Sequence, residues 1–253
     1  MKVEVITMMF NEEFLVPFFM GHYSWVDKIK VFIDADTTDN TELIVRNYPN
    51  AEVYKFRFPD MMDDALKVGF LNEAYRSSEA NWVIMVDADE FVFKNMKPDI
   101  RSILEQEKAD VIISKLYQVY RHRTDSDLDM TKPAIIQRRH GIANEGFDKR
   151  CGFSLGLYNK PIVARGGLKI SWTAGNHFIK YEQAYPVSSQ EFLDGAHWAM
   201  ADPCFCIERR CKGRRDRQSK FNLENGMTIQ HHHITEEQVK AECDAHLNDP
   251  EVL

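Results

Sequence analysis

Trp82-Val83-Ile84-Met85-Val86-Asp87-Ala88-Asp89-Glu90-Phe91 is the stretch whose reading decides the fold. Five apolar residues in a row, closed by charge, read as a strand buried on both faces. Such strands belong to parallel sheets covered by helices. Upstream, Val3-Glu4-Val5-Ile6-Thr7-Met8-Met9, Lys28-Ile29-Lys30-Val31-Phe32-Ile33 and Glu52-Val53-Tyr54-Lys55-Phe56 have strand character too. Helical segments separate them. Asn11-Glu12-Glu13 can open a helix reaching about Trp25, with Pro17 tolerated near its first turns. A short helix follows over 41–48. Residues 63–78 carry apolar side chains at 65, 66, 70, 71, 74 and 75, which is helical spacing. A helix over 98–108 and a strand over 111–113 complete the run. This alternation predicts an α/β fold, a mainly parallel sheet with helices on both faces.

Ligands of such sheets bind beyond the C-terminal strand ends. The acidic loops at 34–39 and 87–90 each follow a strand and so share one rim. Asp87 and Asp89, two apart at a strand end, can both turn toward one hard cation of the Mg²⁺ or Mn²⁺ type. Asp34 also lies at a strand end, where a carboxylate can accept from a nucleobase N–H or a ribose hydroxyl. Thr38 and Asp39 read as helix caps.

The rest of the chain is less regular. Residues 120–150 are polar, with Arg-His-Arg at 121–123 and Arg-Arg-His at 138–140. Strands are expected at 161–164 and 168–170 around Gly166-Gly167, and at 177–179. Thr235-Glu236-Glu237-Gln238 opens a last helix. The 253 residues suffice for one sizeable core. Sixteen Phe, nine Tyr and four Trp exclude wholesale disorder. The apolar stretch at 14–20 is too short to span a membrane and contains Pro17. No signal peptide is legible, and five cysteines suggest reduced thiols in a cytoplasm. The net charge of −7 hides an asymmetry: −9 over 1–110, +8 over 111–220, −6 over 221–253. The first segment suits a held cation, and the second an anion. Residues 209–217 alone hold six basic side chains in nine. They suit a solvated face, a diphosphate clamp or a patch for an anionic acceptor. Cys204, Cys206 and Cys211 do not have a common zinc spacing.

Asn11-Glu12-Glu13, Asp34-Ala35-Asp36-Thr37-Thr38-Asp39 and Asp87-Ala88-Asp89-Glu90-Phe91 occur in an order and spacing that resembles the family 2 glycosyltransferases of GT-A fold. The resemblance covers residues 3–115 well and the rest loosely. It implies a GT-A domain over 1–200, with a nucleotide-sugar half at 1–115 and an acceptor side at 116–200. A C-terminal extension over 201–253 follows, basic and then acidic and helical. It implies that Asp87 and Asp89 hold Mn²⁺ or Mg²⁺ on the donor diphosphate, and that Asp34 reads the base. Asn11, Glu12 and Asp36 would complete the nucleotide-sugar site. Ala35 stands where many members have Asn or Asp, which alters the base contact in detail. A histidine from the later chain often joins the metal or diphosphate; His177, His197 and the run His231-His232-His233 are the candidates. Asp89 would serve catalysis, with a base for an inverting transfer at Glu191 or Asp194. The expected activity is metal-dependent transfer of a sugar from a nucleotide donor, UDP rather than GDP, to an unidentified hydroxyl on a glycan, lipid-linked, protein or nucleic-acid acceptor. Two rivals stand beside it: a nucleotidyltransferase, which should show a Gly-rich loop that Met8-Met9-Phe10-Asn11 does not offer, and a non-catalytic binding module on the same fold.

Overall fold

The computed structural model describes residues 1–142, 159–226 and 234–253, and the backbone of 147–148 and 153–154. Its first half alternates as the apolar runs require: β1 (Val3–Met9), α1 (Val16–His22), β2 (Lys28–Asp34), α2 (Thr41–Val45), β3 (Ala51–Phe56), α3 (Asp64–Arg76) and β4 (Trp82–Met85). Pro17 sits in the first turn of α1, where its missing N–H goes unused. Asp63 caps α3 by accepting from the N–H groups of Ala65 and Leu66. Then come β5 (Glu90–Phe93), α4 (Arg101–Gln106), β6 (Val111–Tyr120) and β7 (His140–Ile142). A two-residue pair, β8 (Phe147–Asp148) and β9 (Phe153–Ser154), precedes β10 (Asn159–Arg165), β11 (Ile170–Trp172), β12 (Ile179–Tyr181) and β13 (Leu193–Met200).

Among the described residues, nine strands form the main sheet, in the order β3-β2-β1-β4-β10-β6-β13-β5, with β7 paired to β6. The pairings set β1, β2, β3, β4, β6 and β13 running one way, against β5, β7 and β10. The sheet is therefore mainly parallel, as expected. Side-chain alternation along β4 explains how it is covered. Trp82 and Ile84 pack with Phe19 of α1 and Leu104 of α4 on one face. Val83 and Met85 pack with Leu71 and Tyr75 of α3 on the other.

Gly166-Gly167 turns the chain between two strands, as expected; β10 inserts antiparallel between β4 and β6, and β11 pairs with β12. β13 carries no sequence signal, because Asp194, Gly195 and His197 break its apolar run. A Cβ at Gly195 would lie 2.2 Å from Leu116 Cδ2, so a larger residue there would force the Leu116 side chain to move. Past the sheet come α5 (Pro203–Ile207), a wide π-type turn at Glu208–Arg214, a 3₁₀ turn at Arg215–Arg217, α6 (Lys220–Glu224) and α7 (Glu236–Ala245). Thr235 and Gln238 close the capping box of α7. Cys206, Cys211, Val239 and Cys243 pack on Tyr120 and Met200 and fasten this segment to the sheet. Among the described residues no helix is long and apolar enough to cross a membrane.

Candidate active site

The carboxylates of the two acidic loops meet at the C-terminal strand rim, as the topology demands. Glu12 follows β1, Asp34 ends β2, and Asp87 and Asp89 lie in the turn from β4 to β5. Glu12, Asp34 and Asp89 are buried. A buried charge persists only if paired, and each of these has a basic partner. Asp87 takes the Lys67 ammonium at 2.7 Å. Asp89 takes Arg209 Nη1. Glu12 Oε1 accepts from Arg209 Nη2 and Arg214 Nη2, each at 2.9 Å. Asp34 Oδ2 accepts from Arg217 Nη2 at 2.7 Å, while the Arg217 guanidinium stacks on Phe10, 3.5 Å from its ring centre. Glu90, fully buried beneath, pairs with Lys160.

These environments shift the titrations. Burial alone would raise Asp89, but Arg209, His197 and Arg214 outweigh it and hold the carboxyl far below its usual range. Asp87 is held low in the same way by Lys67 and Lys160. Glu90 goes the other way, up to about 7, because burial and the charges of Asp87 and Asp89 together outweigh Lys160. Asp64, at the start of α3, is raised by burial.

The two single histidines reach the same place. β13 pairs with β5 in a register that sets His197 beside Glu90. His197 Nδ1 lies 2.5 Å from Gln118 Oε1, and the Gln118 amide donates onward to the His197 and Val119 carbonyls. A carboxamide oxygen only accepts, so Nδ1 carries the hydrogen. Burial lowers the ring's pKa to about 4, against the pull of Asp89, and keeps it neutral. Nε2, 3.6 Å from Asp89 Oδ2, is then the unprotonated nitrogen. Neutral imidazole beside carboxylate, with the far nitrogen fixed by a second polar group, is a donor set that suits a divalent cation. His177 lines the same cleft. It follows Gly175, at φ 67, where a Cβ would lie 2.7 Å from the His177 ring.

Two adjoining cavities result. One of about 220 Å³ is lined by Asp64, Asp87, Asp89, Lys160, His177 and His197, among others. A smaller one of about 80 Å³ is lined by Phe10, Asp34, Phe56, Phe58 and Arg217. Met8, Met62, Lys67 and Arg214 border both. One is thus polar and charged, and the other aromatic with a carboxylate at its edge.

Other expected site residues fall elsewhere. Asn11, at φ 50, exchanges hydrogen bonds with Thr38 and so pins the first loop to the second. Asp36 is exposed and pairs with Arg57. Glu191 lies in a separate groove with Ser102 and Glu107. Asp194 sits near the start of β13, three residues before His197 and away from the rim. Neither lines the cleft. The His231-His232-His233 run lies outside the described residues. Cys204 is exposed while Cys206 and Cys211 are buried, and no metal-distance cluster of them forms among the described residues. Sequence reasoning missed Asp64, Lys67, Gln118 and Lys160. Only Lys67 offered a signal, being a lone base facing Asp63-Asp64 across one helical turn.

No protein-family model matches this sequence, and no curated protein does. Solved structures give remote likenesses. A 1–349 fragment of S. aureus TarS in complex with UDP is 17% identical, over 98% of this chain and 71% of that one, with a TM-score of 0.47. The longer S. aureus TarS structure is 15% identical over 96% of this chain and 43% of its own, at a TM-score of 0.48. A glucosyl-3-phosphoglycerate synthase from Mycobacterium tuberculosis, in complex with Mn²⁺, UDP and glucosyl-3-phosphoglycerate, is 18% identical over 46% of this chain and 44% of its own, at 0.32. These TM-scores lie below 0.5, so the fold stated above rests on strand order and the site on its own geometry.

Proposed function

We propose that the chain is a nucleotide-sugar glycosyltransferase, moving a sugar from a UDP-linked donor to an acceptor hydroxyl with a divalent cation, Mn²⁺ or Mg²⁺. The observation that carries the reading is the double cavity at the strand ends. Its small aromatic part, with Asp34, suits a base and ribose. Its larger part, with five Lys and Arg side chains, suits a diphosphate and sugar. Both lie where the motif resemblance expects the donor.

The residues divide the work. Phe10, Phe56 and Phe58 offer faces for a base, and Asp34 an acceptor for its N–H or for a ribose hydroxyl. Lys67, Arg209 and Arg214 stand where the leaving diphosphate gains charge. Asp89 and His197 are the pair that would hold the cation, with Asp87 and His177 nearby; bound there, it would neutralise charge on the leaving group. Arg209 occupies Asp89 meanwhile and moves to phosphate when the donor enters. For an inverting transfer, the proton acceptor passes from Glu191 and Asp194 to Asp64. That carboxylate lines the cavity, has its pKa raised, and has its backbone N–H fixed by Asn222 Oδ1 at 3.0 Å.

The test is UDP release from a panel of UDP-sugars, with and without Mn²⁺, for wild type and Asp89→Asn. Wild type should turn over at least one donor, and Asp89→Asn should fall roughly 10²–10³-fold, the scale of a lost transition-state contact. No UDP binding by calorimetry in wild type, or undiminished turnover in Asp89→Asn, overturns the reading.

A further inference from the structure

The basic-histidine motifs at 121–123 and 138–140 play no part in the cleft, yet the fold brings them together. His122 follows the end of β6, and His140 opens β7, its antiparallel neighbour. Asp125 closes the group. One ligand atom from each of His122, Asp125 and His140 lies within 4.8 Å of the others. None of the three lines either cavity of the cleft. We propose that His122, Asp125 and His140 form a second metal site, for a divalent cation of the zinc class.

Four observations support it. The His140 Nδ1 atom is buried and makes no hydrogen bond, while facing Asp125 Oδ1 at 3.9 Å. A buried nitrogen left in that state is costly unless something occupies the gap. Asp125 is preset: its other oxygen accepts from the His122 N–H at 2.9 Å. His122 is held by Thr124, whose Oγ1 lies 2.8 Å from Nδ1 and whose N–H reaches the same nitrogen at 3.3 Å, which leaves Nε2 as the nitrogen for a metal once Nδ1 donates to that hydroxyl. Two imidazoles and one carboxylate form a borderline donor set, which selects zinc-like ions over Mg²⁺ or Ca²⁺ and leaves a position for water. The two rings stack at 4.1 Å and 21°, so closing on one ion takes a turn of the loop-borne His122 ring. Arg138 Nη1 stands 3.7 Å from Asp125 Oδ2, not the oxygen nearest His140, and is held by the Ser126 and Gln137 carbonyls.

The site would clamp the end of the chain. The Arg123 N–H donates to the Leu247 carbonyl, Gly141 N–H to Pro250, and Val252 N–H to Arg139. A cation here therefore fastens the β6–β7 hairpin under residues 247–253. The experiment is Zn²⁺ titration of chelator-stripped protein in competition with a chromogenic chelator, with melting temperature read in parallel. Wild type should bind an equivalent that His140→Gln, His122→Gln and Asp125→Asn each weaken at least ~10-fold. Zinc should raise the melting temperature of wild type but not of these variants. Asp89→Asn, and the triple change His231→Ala, His232→Ala, His233→Ala, should keep the equivalent. The proposal fails if wild type binds no zinc, if His122→Gln and His140→Gln bind it as wild type does, or if only the cleft or triple-histidine variant loses it.

Discussion

Replacing Arg209 by Met tests how the cleft is held together. Arg209 is 7% exposed and lies between Asp89 at 3% and Glu12 at 2%. Both carboxylates hold its guanidinium in the charged form, well above its usual range, although burial works against this. Met keeps much of the apolar stem and removes the charge. Glu12 still has Arg214, so the principal loss is at Asp89, left with a neutral imidazole at 3.6 Å. Orphaning one buried charge costs about 3–5 kcal/mol. Urea unfolding of wild type, Arg209→Met and Arg209→Lys measures it, and Lys should lose less because it keeps the charge without the fork. Mn²⁺ supplies the second half of the test. If Asp89 and His197 form its seat, Mn²⁺ need not displace Arg209 in the Met variant. The stabilisation it gives, about 2.7 kcal/mol at a hundredfold excess over the variant's Kd, should then be larger than in wild type at the same Mn²⁺ concentration. A loss under about 1 kcal/mol refutes the interlock, and an equal Mn²⁺ increment in both proteins refutes the cation seat.

Two further outcomes are expected. Asp34→Ala should weaken UDP binding by about 1.5–3 kcal/mol, the scale of a hydrogen bond to a charged group; calorimetry showing wild-type affinity would leave Asp34 as the residue that fixes its own loop, through the Asp36 N–H at 2.9 Å. His22, buried under Phe91, donates from Nε2 to the Val92 carbonyl at 2.7 Å and leaves Nδ1 without a hydrogen bond, so a second proton has no acceptor. Burial accordingly lowers its pKa from 6.5 to about 4, despite the Val92 contact. Between those values the unfolded chain binds the extra proton, so this contribution is full above pH 6.5 and is lost as pH falls toward 4. It amounts to roughly 3 kcal/mol. Stability of wild type and His22→Gln at pH 7.5 and 4.5 measures it; an equal fall in both would refute it.

What the sequence made legible follows from how each feature is encoded. The parallel half is written locally, as apolar runs alternating with helical spacing, so β1 to β4 emerged within a residue or two. Strand ends then placed Asp34, Asp87 and Asp89 on one rim by topology alone. β13 was not legible because its strand character is borrowed: Gly195 and His197 become strand residues only between Leu116 and Phe91, distant in sequence. The Gly166-Gly167 turn was legible because it is local, but the partner of each arm was not: β10 fills the gap between β4 and β6, and β11 pairs with β12. Glu191 and Asp194 stand close to His197 in sequence, which does not bring them to the rim. In a strand, three residues span roughly 10 Å, enough to leave the rim.

The charge asymmetry is the feature whose meaning the structure changes most. Opposite segment charges suggested separate surfaces for a cation and an anion. Instead they interlock: Glu12, Asp34 and Asp89 from the acidic first segment close on Arg209, Arg214 and Arg217 from the basic one. The six-in-nine basic run is therefore no solvated face, since Arg209 and Arg210 are buried. Such an interlock restricts what can enter. A lone anion would draw the arginines away and strand buried carboxylates. A lone cation would do the reverse, taking Asp89 from Arg209 and leaving it Glu12 alone. A diphosphate arriving with a divalent cation exchanges every pair at once, giving the arginines phosphate oxygens and the carboxylates a metal. Under the proposed function, the paired state of the cleft is thus a selectivity device. It leaves the site stable when empty and opens it at low cost to ligands that carry both charges.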